Sequence, residues 1–468
     1  MTESEARSMS NCIRATADET KRDRGDAGTR LTRTGTIAAV AVALSAGTAC
    51  DRLLEVDVPG HVTEEALNDS RLSEELVGSA EASFDCMLST YVEEIGRWSK
   101  DFYYMNTGTG FIYTQLRTRE VEDFEQVDCT QTGPTRSAAV WLPINTTRAQ
   151  AEQAIELIEG FPDENVENKS FLLAKAHAYT GYSYQIAGET MCELAFDGGP
   201  RETREGAWRI AEQYFTDALQ LAGQAMSAPS GEDVGSIRNM ALVGRARSRL
   251  HLGDGPGVIA DASQVDQGFV RYAQMDEITT RRWNRVYENQ NRNISTSVHP
   301  SYQNLEVDGV PDPRVPLERL GVVGFDAVTD VHTQQKYLSL GADIPFSTWR
   351  EAQLMIAEVE GGQTAVNVIN SLRATVADLP WVTVTQALPE FSSSDSDAIL
   401  AQVLEERRRE LWMHGTKLGD MLRVLERADL PMIDGLEFDS GLNQRGQAYG
   451  SGTCYPLPLA EKDNNPNF

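Results

Sequence analysis

The chain has 468 residues, with 42 Lys and Arg against 70 Asp and Glu and a formal net charge of −28. So acidic a polypeptide repels nucleic-acid phosphates and anionic lipid headgroups, which excludes both as partners of its body. Neutral ligands, cations and proteins with a basic patch stay compatible, and an apolar fraction of 41% supplies a core for one large or two intimately packed domains.

Residues 1–49 read as a leader. Arg30 and Arg33 precede a short Ala- and Val-rich run over 37–49 that ends in Gly47, Thr48 and Ala49, immediately before Cys50. That order is the layout of a secretory signal whose cleavage frees Cys50 for acylation, giving a lipid anchor. A plain signal with a cysteine nearby by chance is the alternative. No other segment reaches the ~18 consecutive apolar residues of a membrane-spanning helix, so the mature part is expected to be soluble and tethered at one end only. Pro59 and Gly60 break the tether, and Thr63 can cap a helix that opens with Glu64 and Glu65.

Export permits disulfides. Cys12 leaves with the leader and Cys50 goes to lipid, so Cys86, Cys129, Cys192 and Cys454 remain. Four cysteines allow three connectivities and the sequence does not choose between them. Cys86–Cys129 with Cys192–Cys454 is our guess. There is no C-x-x-C and no zinc spacing.

Helical periodicity dominates the chain beyond the tether. Leu72, Leu76, Ala80 and Phe84 share a face. Over 138–158 the face is Trp141, Ile144, Ala151, Ala154, Ile155 and Ile158. A helix over 171–186 is rich in Ala and Tyr, and one over 207–226 carries Trp208, Ala211, Phe215, Ala218 and Ala222. Helices over 237–252 and 258–265 flank Gly253-Asp-Gly-Pro256, and a further pair over 347–358 and 363–377 is split by Gly361-Gly362. Small residues and aromatics facing each other let helices approach closely, as in tetratricopeptide-like hairpins stacked into a solenoid. Residues 380–396 are a polar connection, and 397–415 are the strongest helix, whose Glu405–Glu410 run reads as an ion network. Trp141, Trp208, Trp349 and Trp412 read as core, as does His177. Two stretches, 97–136 and 268–346, lack helical periodicity and read as functional loops with little β structure. The expected fold is therefore mostly α, with helix pairs mainly in 70–96, 137–266 and 347–377.

Five stretches together resemble the SusD/RagB family of nutrient-binding outer-membrane lipoproteins. They are Cys50-Asp-Arg-Leu-Leu-Glu-Val-Asp-Val-Pro-Gly60 and the residues to Glu65; Trp141-Leu-Pro-Ile-Asn-Thr-Thr-Arg-Ala-Gln150; Pro311-Asp-Pro-Arg314; Trp349-Arg-Glu-Ala-Gln-Leu-Met-Ile-Ala-Glu358 with Ile369-Asn-Ser-Leu-Arg373; and Glu406-Arg-Arg-Arg-Glu-Leu-Trp-Met-His-Gly415 through Asp420 and Arg423, closing on Pro456-Leu-Pro458 and Asn465-Pro-Asn467. They run in the family's order across 50–468. His414 and Lys417 depart from it, standing where Glu and Arg are usual. The resemblance implies a single domain over 50–468, with four tetratricopeptide-like pairs and a grafted irregular subdomain. It also implies a lipid-anchored place on the outer membrane, facing the exterior, over a TonB-dependent (SusC-like) barrel that receives a captured glycan or other large nutrient. No chemistry is implied.

Holding sugar without catalysis takes flat aromatic faces and Asn, Asp or Arg for the hydroxyls. Trp98, Asp101, Tyr103, Tyr104 and Asn106, beside Phe102 and Tyr113, supply that mixture in the first irregular stretch. Trp283, Asn284, Tyr287, Asn291, Arg292 and Tyr302 supply it in the second. These are the candidate ligand residues, expected to meet on one exposed face. No hydrolase elbow, zinc-protease motif, phosphate loop or dinucleotide fingerprint occurs. No catalytic residue, metal site or cofactor is assigned; acidic loops leave calcium open. The competing readings are a helical-repeat scaffold for envelope proteins and an envelope polysaccharide hydrolase.

Overall fold

The computed structural model describes residues 68–106, 109–118, 129 and 140–468. The leader, Cys50 and Thr63 fall outside these residues, as does the side chain of Tyr113. After a turn at Ser70–Leu72, helix α1 runs Ser73–Trp98, followed by strand β1 (Phe102–Tyr104) and helix α2 (Thr109–Leu116). Then come α3 (Trp141–Gly160), α4 (Lys169–Thr190), α5 (Arg204–Gln224), α6 (Val234–Leu252) and α7 (Gly255–Ala262). Their starts are set locally: Thr203, Asp233 and Asp254 accept from the backbone N–H of Gly206, Ser236 and Gly257 at 3.0, 2.8 and 3.1 Å. Such caps are worth about 1 kcal/mol each.

Each helix packs on the next, α1 on α3, α3 on α4 and so on through α7. One close approach is built on a single ring. A Cβ on Gly181 of α4 would stand 2.8 Å from Phe215 of α5, and one on Gly244 of α6 would collide with the same ring. Glycine is therefore required on both sides of Phe215, and the three helices close tightly around it.

The insertion from β2 (Val270–Ala273) onward contains β3 (Thr296–Val298), β4 (Glu306–Val307), β5 (Val310–Pro311), β6 (Leu317–Val323), β7 (Asp330–Gln334) and β8 (Ile344–Thr348). All pair as two-stranded antiparallel ribbons: β1 with β3, β2 with β8, β4 with β5, β6 with β7. The β2–β8 ribbon, register Val270↔Thr348, brings the two ends of the insertion together. The stack consequently resumes where it stopped, with α8 (Trp349–Glu360) packed on α7 and α9 (Gly362–Ala374) packed on α8. Helix α10 (Ser396–Glu410) covers both.

The α10 helix ends earlier than the sequence pattern predicts. Met413 and Gly415 adopt φ of 59° and 85°, which no helix can continue through. A separate helix, α11 (Lys417–Glu426), then packs on α4 and α1, and α12 (Leu459–Asn464) follows near the end. Disulfides join Cys86 to Cys129 and Cys192 to Cys454, which is the guessed connectivity of the three. The second ties the C-terminal segment to the end of α4, beside backbone bonds from Cys192 N–H to Tyr455 and from Tyr455 N–H to Thr190 of 2.9 and 2.7 Å.

The Asp-Pro-Arg turn is the rivet between insertion and stack. Arg314 is fully buried and pairs with Asp312 at 2.7 Å and with Glu406 of α10. Arg373 of α9 reaches Glu406 at 2.5 Å, Arg409 reaches Asp312 at 3.0 Å, and Arg350 of α8 pairs with Glu410. The acidic and basic run of α10 is thus an ion network, and it is a buried one.

Candidate functional site

Strand pairing of β1 with β3 does bring the two irregular stretches together, through Phe102↔Val298, Tyr103↔Ser297 and Tyr104↔Thr296. It does not lay the predicted residues out on an exposed face. Trp98, Asp101, Tyr104, Asn284 and Tyr302 are buried. Trp98 packs on Tyr455 at 5.2 Å and donates to Thr453 O at 3.2 Å. Asp101 meets the Lys417 ammonium at 3.1 Å, and the same ammonium lies 4.4 Å from the centroid of Tyr302. Asn284 caps Tyr287 N–H and donates to Ala342 O at 2.7 Å. These five are core, and the sequence expectation is corrected for them.

Six candidates keep some access. Tyr103 lies against the His299 ring at 4.4 Å, and Asn106 carries a backbone oxygen that accepts from Arg445 at 3.2 Å. Asn291 exchanges two hydrogen bonds with Gln334, at 2.8 and 2.7 Å. Trp283 is half-buried under the exposed Arg292 guanidinium, 4.8 Å from its centroid, and Tyr287 is half-buried nearby in sequence.

A better-formed concavity lies elsewhere. A pocket of about 470 Å³ opens between the β2–β8 ribbon, the first turn of α8, the turn over 375–381 and the end of α10. Phe269 and Tyr272 come from the ribbon side, Trp349 opens α8, and Trp381 stands on the turn. All four rings are half-buried. Thr348 caps α8 by accepting from Glu351 N–H at 3.0 Å, and Trp349 N–H donates to Phe269 O at 2.8 Å, which fixes the first tryptophan against the ribbon. The Trp381 indole donates to Arg314 O at 3.2 Å, and the buried Lys336 ammonium sits 3.9 Å from its ring centroid. One ring face is thereby covered by the Lys336 Nζ, whose pKa burial pulls well below the ordinary lysine value.

Thr348, Arg350, Glu410 and His414 are the buried polar members of the lining, while Gln267 and Asp378 are exposed at its edge. Burial, then Lys336 and Arg247, hold the His414 imidazole well below its ordinary pKa, so it is neutral at pH 7. Burial with Asp343 nearby raises the Tyr272 phenol, which stays a neutral hydroxyl. Broad apolar faces with a few fixed polar groups suit a ligand with one flat apolar side and hydroxyls around it.

Sequence reasoning missed this pocket. Trp349 falls on a helical period and reads as core, yet as the first residue of α8 it stands at the mouth. Trp381 sits within a connection read as polar; an isolated tryptophan between Leu379-Pro380 and Val382-Thr383 was the available signal. Among the described residues, no group of three or more His, Cys, Asp or Glu is placed to hold a metal ion, and no helix is long and apolar enough to cross a membrane.

No family model and no curated protein matches the chain. Solved structures do. A SusD-like carbohydrate-binding protein of Bacteroides vulgatus superposes with a TM-score of 0.60 at 14% identity, over 86% of this chain and 97% of that one. A SusD homologue of Bacteroides thetaiotaomicron gives 0.61 at 13% identity, over 87% and 98%. Surface glycan-binding protein A of Bacteroides thetaiotaomicron, in complex with laminarihexaose, gives 0.57 at 12% identity, over 85% and 98%. The chain has the SusD-like fold.

Proposed function

We propose that this protein is a glycan-binding member of the SusD/RagB group, lipid-anchored through Cys50 at the outer surface, which captures oligosaccharide and passes it to a TonB-dependent barrel. The observation that carries the reading is the aromatic pocket at Phe269, Tyr272, Trp349 and Trp381, on a fold that in one relative holds laminarihexaose. Pyranose rings present an apolar face of C–H groups to such indoles and phenols, while hydroxyls reach Gln267 and Asp378. No bond is made or broken in this reading, since the pocket offers stacking and hydrogen bonds and its buried carboxylate, Glu410, is taken up by Arg350 and Arg314.

Calorimetric titration of the purified chain against a panel of oligosaccharides tests it. Trp381→Ala should weaken the best ligand at least about tenfold, the ~1.4 kcal/mol or more expected of a central aromatic anchor. Trp283→Ala, on the Arg292 face, should have the smaller effect. Binding that survives Trp381→Ala and disappears with Trp283→Ala would move the site to the loops named from the sequence.

A further inference from the structure

We infer that the pocket selects uncharged sugar residues and turns away those bearing carboxylate or sulfate groups; this rests on the glycan-capture reading. The warrant is that, among the described residues, no usable cation lines it. Arg350 spends all three of its nitrogens inside the protein: Nε on Glu410, Nη1 on Thr375 O and Oγ1 at 3.2 and 3.1 Å, Nη2 on Leu372 O at 2.7 Å. Lys336 lies behind Trp381, buried, with Nζ donating to Trp412 O, and is not part of the lining. His414 is neutral.

The anions point the other way. Asp378 is exposed at the edge and has no ion-pair partner among the described residues. Glu410 adds a second carboxylate whose charge Arg350 balances locally. An acidic sugar entering here would shed hydration, gain no counter-charge and face Asp378 within a chain of net charge −28. A neutral sugar meets none of these penalties. Its hydroxyls donate to the Asp378 carboxylate, and its ring lies on Trp381 or Trp349.

The test is calorimetry on the full chain with laminarihexaose, maltohexaose and cellohexaose, set against hexamers of galacturonate and of sulfated chondroitin, at low and high salt. At least one neutral hexamer should bind ten times tighter than either acidic one, with little salt dependence, and lose at least tenfold on Trp381→Ala. Asp378→Lys should raise the affinity for galacturonate hexamer at least threefold at low salt. Should Trp381→Ala fail to fold, Trp349→Ala, from a different element, takes its place. An acidic hexamer that binds as tightly as the neutral ones and is sensitive to the tryptophan change overturns the selectivity and leaves glycan capture standing. Failure of every sugar to bind overturns both. Neutral binding indifferent to both tryptophans removes the pocket from the site, and the selectivity with it.

Discussion

Around Phe215, α4, α5 and α6 close by shape, one ring pressed between two glycines, with a half-exposed Arg249–Glu212 pair at 2.8 Å at the edge of the α5–α6 contact. Where the insertion meets α8, α9 and α10, the joint is Asp312, Arg314, Arg350, Arg373, Glu406 and Glu410, all of them buried. Close packing of consecutive helices depends on volume and not on protonation. A buried ion network depends on residues far apart in the chain and on every member keeping its charge. The stack is therefore the part to perturb by volume and the joint the part to perturb by protons.

Phe215→Ala should give the largest effect, about 3–5 kcal/mol lost in urea denaturation, because two glycines cannot fill the space the ring leaves. A loss under about 1 kcal/mol would show that the helices collapse onto the gap, and the packing account would fail. Acid should act instead on the buried ion pairs, those of the joint and of α11 with α10. Burial alone would raise the Asp312 carboxyl, but Arg314 and Arg409 outweigh it and hold it at about 2; Asp420, between Arg407 and Arg423, is likewise held at about 2. Both lie below the ordinary 3.8, so their contribution is complete above roughly pH 4 and is lost as pH falls towards 2. Stability measured across that window should fall steeply, and Asp312→Asn with Asp420→Asn should flatten the slope; an unaltered slope in the double variant rejects the assignment. The smallest effect belongs to Arg209→Ala, which removes an exposed 2.7 Å pair with Glu205 on α5. It should cost no more than about 0.5 kcal/mol and vanish in high salt.

The same contrast explains what could be read from the chain. The helix pairs were legible because their signal is local: Ala211, Phe215, Ala218 and Ala222 mark one face within a single helix. The candidate loops were legible as irregular, and strand pairing does join them, but their solvent access was not. Trp98 is covered by Thr453 and Tyr455, brought over it by the C-terminal segment that Cys454 pins to Cys192. Asp101 is covered by Lys417 from the helix over Lys417–Glu426, which the periodicity reading did not assign. Nothing near Trp98 or Asp101 in sequence announces those partners. The pocket was illegible for the same reason, since Phe269, Trp349 and Trp381 become neighbours only after the insertion's ends close.

Arg350 and Glu410 line the pocket and also rivet α8 to α10. Cargo wedged above them would brace the seam like a keystone, so that loading and mechanical stiffness rise together. Backbone amides over 375–382 should then exchange more slowly with deuterium in the loaded protein, and a load-bearing role for the guest would follow from nothing more than where the two halves of the molecule were joined.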